Sequence, residues 1–280
     1  MAATSSTWRS LVEQNGYVVV PGVVPWHNLD TVIADIWQHT GARPGDRESW
    51  YRPGIISPHG MVEMYHYQSM WDNRQHPRVH EVFADILGTE RLWVSLDRVN
   101  LKPPADPAHP EYAGTGFIHW DVDISRYPDL PFGLQGVLAL TDTDESMGGF
   151  QCVPELYRDV RAGRATLPAN RQSRTPDLTG YRITKVAMRA GDLVIWSTLL
   201  PHGNGHNVSQ WPRLAQYITM HVAEDGNEAK RRVRINCWRN RLPPPHASFP
   251  GDPRKIEEQL GRPAELTPLG RKLLGLDSWQ

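Results

Sequence analysis

His119, Trp120 and Asp121 stand in a row, His202 follows at long range, and Arg213 comes shortly after it. Side chains alternate across a strand, so His119 and Asp121 share one face while Trp120 and Val122 take the other. Two imidazoles and one carboxylate can occupy one face of a metal and leave the opposite face open. That is the ligand set of non-heme Fe(II) oxygenases. Arg213 adds a cation able to hold an acidic cosubstrate. An isolated H-x-D pair is weak evidence, because a strand-end His–Asp hydrogen bond produces the same pattern. The distal region strengthens it. Residues 191–196 are a turn leading into an apolar strand, which delivers Pro201-His202-Gly203-Asn204-Gly205-His206-Asn207. Glycines beside His202 leave room for close approach by metal and ligand.

These residues need elements to bring them together. Helical periodicity is concentrated in the first third of the chain: residues 8–15, stopped by Gly16; residues 27–40, with Leu29, Val32, Ile33, Ile36 and Trp37 on one stripe; and residues 77–87, stopped by Gly88. Residues 17–20 read as a strand closed by Pro21-Gly22. From Leu92 onward the pattern changes to strands and turns. The clearest strands are residues 93–101, 116–124, 133–140, 192–198 and 214–223, with residues 235–239 as a further candidate and a turn at Met147-Gly148-Gly149. Many short strands with irregular connections predict a sandwich or barrel. Residues 157–181 form a long polar excursion expected near the barrel mouth, and the Pro-rich tail after Leu242 is expected to wrap the surface.

The sequence resembles the phytanoyl-CoA dioxygenase family over most of its length. The resemblance begins with Gly16-Tyr17-Val18-Val19-Val20-Pro21-Gly22 and continues through His119-Trp120-Asp121 and Met147-Gly148-Gly149-Phe150-Gln151-Cys152-Val153-Pro154-Glu155. It ends with His202-Gly203-Asn204-Gly205-His206-Asn207-Val208-Ser209 and Pro212-Arg213. The resemblance implies a mainly β fold with supporting N-terminal α-helices, a double-stranded β-helix (jelly roll, cupin-like). A single domain over 1–280 is expected, with helical support and pocket cover in 1–91, the barrel in 92–240 and a C-terminal tail in 241–280. It implies Fe(II) held by His119, Asp121 and His202, with 2-oxoglutarate as cosubstrate and O2 as oxidant. It selects His202 over His206, which falls where the family carries proline. Arg213 would pair with the distal carboxylate of 2-oxoglutarate, a task suited to a bidentate fork. Asn204 would add a hydrogen bond nearby. Lys102, before the H-x-D strand, is a further cosubstrate candidate, and Gln135, on a neighbouring strand, is expected to point inward. Pro154-Glu155-Leu156 replaces the family's Pro-Gly-Ser, which suggests an altered connection there.

The implied reaction is oxidation of a small molecule, hydroxylation foremost, with release of succinate and CO2. Relatives that halogenate lack the carboxylate ligand, so Asp121 argues against that outcome. An aromatic-rich segment with Tyr51, His66 and Trp71 nominates Arg52, Tyr65 and Tyr67 as substrate contacts, although the same residues would serve to pack helices on the barrel. Two alternatives stand beside this reading: a metal-dependent cupin enzyme that does not use 2-oxoglutarate, and a non-catalytic binding barrel. Arg213 counts against the first, and the complete triad against the second.

Bulk properties exclude other classes. At 280 residues the chain suits one large domain, and 39% hydrophobic with 22% charged residues is ordinary for a globular protein. The formal net charge of -1 provides no global field favouring nucleic acid or anionic lipid. The basic run Lys230-Arg231-Arg232-Val233-Arg234 reads as a solvated face. No apolar stretch reaches a membrane span, and residues 1–7 lack the features of a secretory leader. The two cysteines, Cys152 and Cys237, form no C-x-x-C pair. A cytoplasmic location is the corresponding expectation.

Overall fold

The computed structural model describes residues 6–114, 116–169 and 174–279. In chain order its strands are β1 (Tyr17–Val20), β2 (Met61–Val62), β3 (Leu92–Val94), β4 (Val99–Lys102), β5 (Leu134–Ala139), β6 (Phe150–Cys152), β7 (Thr184–Lys185), β8 (Leu193–Ser197), β9 (His202–Asn204), β10 (Arg213–Tyr217) and β11 (Met220–Val222). The helices are α1 (Ser6–Asn15), α2 (Trp26–Thr40), α3 (Gln68–Arg74), α4 (Pro77–Leu87), α5 (Pro154–Arg161), α6 (Glu228–Asn240), α7 (Ile256–Gln259) and α8 (Pro268–Leu274). The larger sheet runs β1-β8-β5-β10-β4-β2, and a smaller one runs β7-β6-β9. All their pairings are antiparallel.

Strand periodicity divides the larger sheet into two faces. Val18, Val20, Leu138, Leu193, Ile195, Leu101 and Leu214 join one core with Leu29, Val32 and Ile36 of α2 and Val79, Val82 and Phe83 of α4. The alternate residues Val137, Ala139, Val194, Trp196 and Ala215 pack instead with Phe150 and Cys152 of the smaller sheet. The N-terminal helices therefore cover one face, while the other faces the smaller sheet across the interior that holds the site. Helix α4 begins with Pro77 at its first turn and ends at Gly88 in the left-handed region, φ 73°.

Some expected strands differ. Residues 93–101 split into β3 and β4, and residues 214–223 into β10 and β11. The split falls at the same place in both segments, where Ser95 N donates to Thr219 O at 2.7 Å and Thr219 N donates to the Ser95 hydroxyl at 3.1 Å in place of a regular ladder bond. Residues 116–124 form no continuous strand; only His119 makes a ladder bridge, and Ile124–Arg126 is a 3-10 turn. Residues 235–239 are helical, within α6. Asn227 caps its first turn by accepting a hydrogen bond from Lys230 N, 3.1 Å away. The basic run lies on this helix, and Arg234 is buried, donating to the carbonyls of Val94, Leu273 and Leu274. Residues 157–181 begin inside α5, whose first helical residue is Pro154; residues 170–173 of that excursion lie outside the described residues. No described helix is long and apolar enough to cross a membrane.

Candidate metal centre

His202 begins β9, and His119 is clamped beside it by reciprocal backbone hydrogen bonds of 2.9 and 3.0 Å. Gly203 permits this approach. A Cβ there would sit 2.2 Å from the carbonyl oxygen of Phe117, so the glycine's room is taken by backbone and not by metal or ligand. Trp120 turns away from the site into a buried apolar cluster, its indole donating to Leu199 O at 2.9 Å. His119 and Asp121 consequently share a face. His119 Nε2 is 3.2 Å from Asp121 Oδ1, and His202 Nε2 is 3.4 Å from Asp121 Oδ2. One ligand atom from each of the three residues lies within 4.8 Å of the others, the spacing of a metal-binding group.

Neighbouring groups fix these ligands. His202 Nδ1 is 2.9 Å from Leu200 O, a contact that places the ring proton on Nδ1 and frees Nε2 for a metal. The His202 ring packs against Trp196, with centroids 5.0 Å apart. Gln135 of β5 does point inward; its amide donates to Asp121 Oδ2 at 2.7 Å and accepts from the Trp196 indole. Arg174 donates to Asp121 Oδ1 at 2.7 Å and to Trp120 O at 2.9 Å. Burial works to raise the Asp121 pKa, but hydrogen bonds from His119, His202 and Gln135 outweigh it and hold the carboxyl well below the usual carboxylate range. His206 lies apart, its Nδ1 3.1 Å from Ala113 O.

Two cations lie farther along the inner face. Arg213 on β10 stands opposite Lys102 on β4 in the strand register. Arg213 is 1% exposed; it donates to Asn100 Oδ1, 3.0 Å away, and lies against the Tyr217 phenol. Its Nε has no partner, and no described carboxylate pairs with it. A buried guanidinium without an acid is costly, so its surroundings suit an anionic ligand. Lys102, 3% exposed, donates to the carbonyls of Pro58 and Tyr112. Burial, and then the Arg213 charge, pull its pKa down to about 8. A metal flanked by three ligand atoms, with an acid-seeking cation on the same interior face, fits iron together with a dicarboxylic 2-oxo acid.

A cavity of about 520 Å³ opens over His119, Asp121 and His202, with Val137, Phe150, Trp196 and Tyr217 in its walls. A second, of about 450 Å³, adjoins it through Arg98, His119 and Asn204 and reaches Lys102. Asn204 lines both. Arg213 lines neither and lies beside the Tyr217 phenol.

The segment expected to cover the pocket reaches it through other residues than those nominated: Met61 lines the cavity over the triad, and Ser57, His59 and Glu63 line the adjoining one. Arg52 donates to Gly41 O, Tyr67 contacts His39 at 3.3 Å, and Tyr65 hydrogen-bonds Glu63; none of the three lines the cavity over the triad. They pack the helices and the C-terminal tail. Beside Met61, the cavity is walled by Arg98 and by His246, Ser248 and Phe249 from the tail. Sequence reasoning missed these residues and Arg174, for they carry no motif. The one available signal was aromatic residues within an otherwise polar, Pro-rich stretch.

Comparison with known proteins gives a consistent result. The family model described as Phytanoyl-CoA dioxygenase (PhyH) matches residues 12–215. A Dictyostelium discoideum protein named for the same family is 24% identical over 200 residues, covering 59% of this chain and 57% of its own length. The chain thus spans less than two thirds of that relative. Among solved structures, GlcNAc Inducible Gene 2 of Candida albicans superimposes with a TM-score of 0.70 at 14% identity, over 97% of this chain and 76% of that one. The epimerase SnoN from nogalamycin biosynthesis, solved with Fe3+, alpha ketoglutarate and nogalamycin RO, gives a TM-score of 0.59 at 18% identity over 95% and 97%.

Proposed function

The chain belongs to the phytanoyl-CoA dioxygenase family, which is Fe(II)- and 2-oxoglutarate-dependent, and from that premise we propose that it oxidises a small molecule at a C–H bond, with hydroxylation as the outcome. The observation that carries the reading is the pairing of a compact His119–Asp121–His202 group with Arg213, a buried cation that has no acid partner among the described residues. We read the two facing antiparallel sheets as a double-stranded β-helix, which the disposition of the strands supports.

In this reading His119, Asp121 and His202 hold iron, and Arg213 binds the distal carboxylate of 2-oxoglutarate, with Lys102 adding positive charge and Asn204 a hydrogen bond. When bound, iron with 2-oxoglutarate and O2 supplies an oxidant able to break a C–H bond, with release of succinate and CO2. The protein's part is positioning. Gln135 holds the Asp121 carboxylate, the Leu200 carbonyl holds His202, and Trp196 and Phe150 give the histidine an apolar wall that limits water. Asp121 fills the position that a halogenating enzyme would leave to a halide. A metal enzyme that did not use 2-oxoglutarate would leave Arg213 without an anion.

The test is succinate release from 2-oxoglutarate by the iron-loaded protein, first alone and then against a panel of metabolites. An iron-dependent background that rises with a particular metabolite, accompanied by a product heavier by one oxygen, is expected. Absence of any iron-dependent consumption of 2-oxoglutarate contradicts the proposal.

A further inference from the structure

We infer that the cavity over the triad takes an organic anion with a ring-bearing body, its charged group held by Arg174 and its ring set against Phe249 of the C-terminal tail. This inference rests on the iron and 2-oxoglutarate reading above and names the substrate class for the same site.

The charge argument begins with what each cation in the cavity already holds. Arg98 already has its charge paired: Glu63 lies 2.8 Å from Nη1 and Asp97 3.7 Å from Nε, although that Nε makes no hydrogen bond. Arg174 differs. Its side chain is 51% exposed at the cavity wall, and among the described residues its sole carboxylate contact is Asp121. Nε and Nη2 are used on Trp120 O and Asp121, whereas Nη1 makes no hydrogen bond with the described residues. A metal on Asp121 would draw on the same carboxylate and weaken its hold on the guanidinium. That leaves Arg174 as a cation beside the reacting centre with an unfilled donor, suited to a carboxylate or phosphate oxygen.

The C-terminal tail supplies apolar surface in the same cavity. Residues 243–251 leave α6 through Pro243-Pro244-Pro245 and return through Pro250-Gly251. They are fastened at two points: Arg98 Nη1 donates to Ser248 O at 2.7 Å, and Gly251 N donates to Glu63 Oε2 at 3.1 Å. The Arg98 guanidinium also lies over the Phe249 ring, 4.5 Å from its centroid. The Arg98–Glu63 pair thus pins the tail so that His246 and Phe249 face the cavity. This wall lies beyond residues 12–215, the part of the chain that the family model covers. A segment outside the common framework that forms one side of the cavity is placed to set selectivity.

Phenylacetate, its neutral amide phenylacetamide, and acetate separate the two features. Calorimetric titration into protein loaded with Ni(II) and saturating 2-oxoglutarate is expected to show phenylacetate binding at least tenfold more tightly than either comparison. Arg174→Gln should erase the preference for the anion over the amide and keep the preference for the ring. Phe249→Ala, with Phe249→Leu as a milder second variant, should do the reverse. Equal binding of anion and amide by the native protein, binding of none of the three, or loss of both preferences together in each variant overturns the inference. Ni(II)-dependent binding of 2-oxoglutarate is measured first on the same protein. Its failure would remove the iron reading itself, while its success followed by failure of the probes removes only the substrate class.

Discussion

Arg213 and Lys102 are two cations facing each other across β10 and β4, and neither has a carboxylate partner among the described residues. The pair is arranged for a ligand more than for fold stability, since a buried charge lacking its counterion costs stability. Truncating one partner of a buried charged pair typically costs about 2–5 kcal/mol. Arg213→Ala should therefore raise the 2-oxoglutarate requirement roughly 30-fold or more, and an unchanged dependence would remove Arg213 from the role. Lys102 carries a pH signature. With a pKa near 8 it is charged at neutral pH and loses its proton as pH rises to 9. Affinity for 2-oxoglutarate should fall across that interval in the native protein. It should be lower at pH 7 and flat with pH in Lys102→Met; parallel profiles for the two proteins would show that Lys102 does not sense the cosubstrate. These cations were legible in the sequence because each sits beside a recognisable strand. Arg174 was not, because it reaches Asp121 from an irregular segment far along the chain.

The bridge between His119 and His202 at the start of β9 is the element on which the centre depends. Period-two alternation made the shared face of His119 and Asp121 legible, even though residues 116–124 do not form a regular strand. What the sequence could not reveal was the reason for Gly203. Its missing side chain admits the Phe117 carbonyl and so brings the two histidines together, with ring centroids 4.9 Å apart. Gly203→Ala should separate the segments, costing about 1–3 kcal/mol through overpacking, and should weaken metal binding more than Ala substitution at Gly226, where a Cβ meets nothing within 4 Å. Equal metal affinity in the two variants would show that the close approach is dispensable. Helix α6 was missed for a different reason. Val233, Ile235 and Cys237 alternate as strand residues do, and this local pattern concealed the Asn227 cap and the helix-forming run that follows it.

The molecule as a whole joins its N-terminal helices to the C-terminal tail through buried polar groups, and these set its response to acid. Burial, reinforced by Arg74, lowers His66 to about 3; burial with Arg234 and Lys230 lowers His221 to about 4; and burial lowers His39 to about 4. Each is neutral in the folded state where the unfolded chain, near 6.5, binds a proton. Their stabilising contribution is therefore present above about pH 6.5 and is lost as pH falls toward 4. Glu257, pushed up by burial to about 7, acts in the opposite sense, losing its contribution as pH rises from 4.5 to 7. His221 can be isolated from the rest: acidification from pH 6.5 to 5 should cost the native protein more melting temperature than it costs His221→Phe, and an identical slope would exclude His221 as a contributor. The general architecture of helices first and sheets after was readable from the change in hydrophobic periodicity near Leu92. The closing of the cavity by the tail was not, because Pro-rich sequence has no period to read. The central claim is that the triad and Arg213 act together as one site for a metal and a 2-oxo acid. Calorimetric titration of 2-oxoglutarate into the metal-free and the Ni(II)-loaded protein, repeated with Asp121→Ala and Arg213→Ala, tests it most directly. The expected result is binding only when metal is present, lost in Asp121→Ala and weakened roughly 30-fold or more in Arg213→Ala. Equal affinity with and without metal, or undiminished binding in both variants, would contradict it.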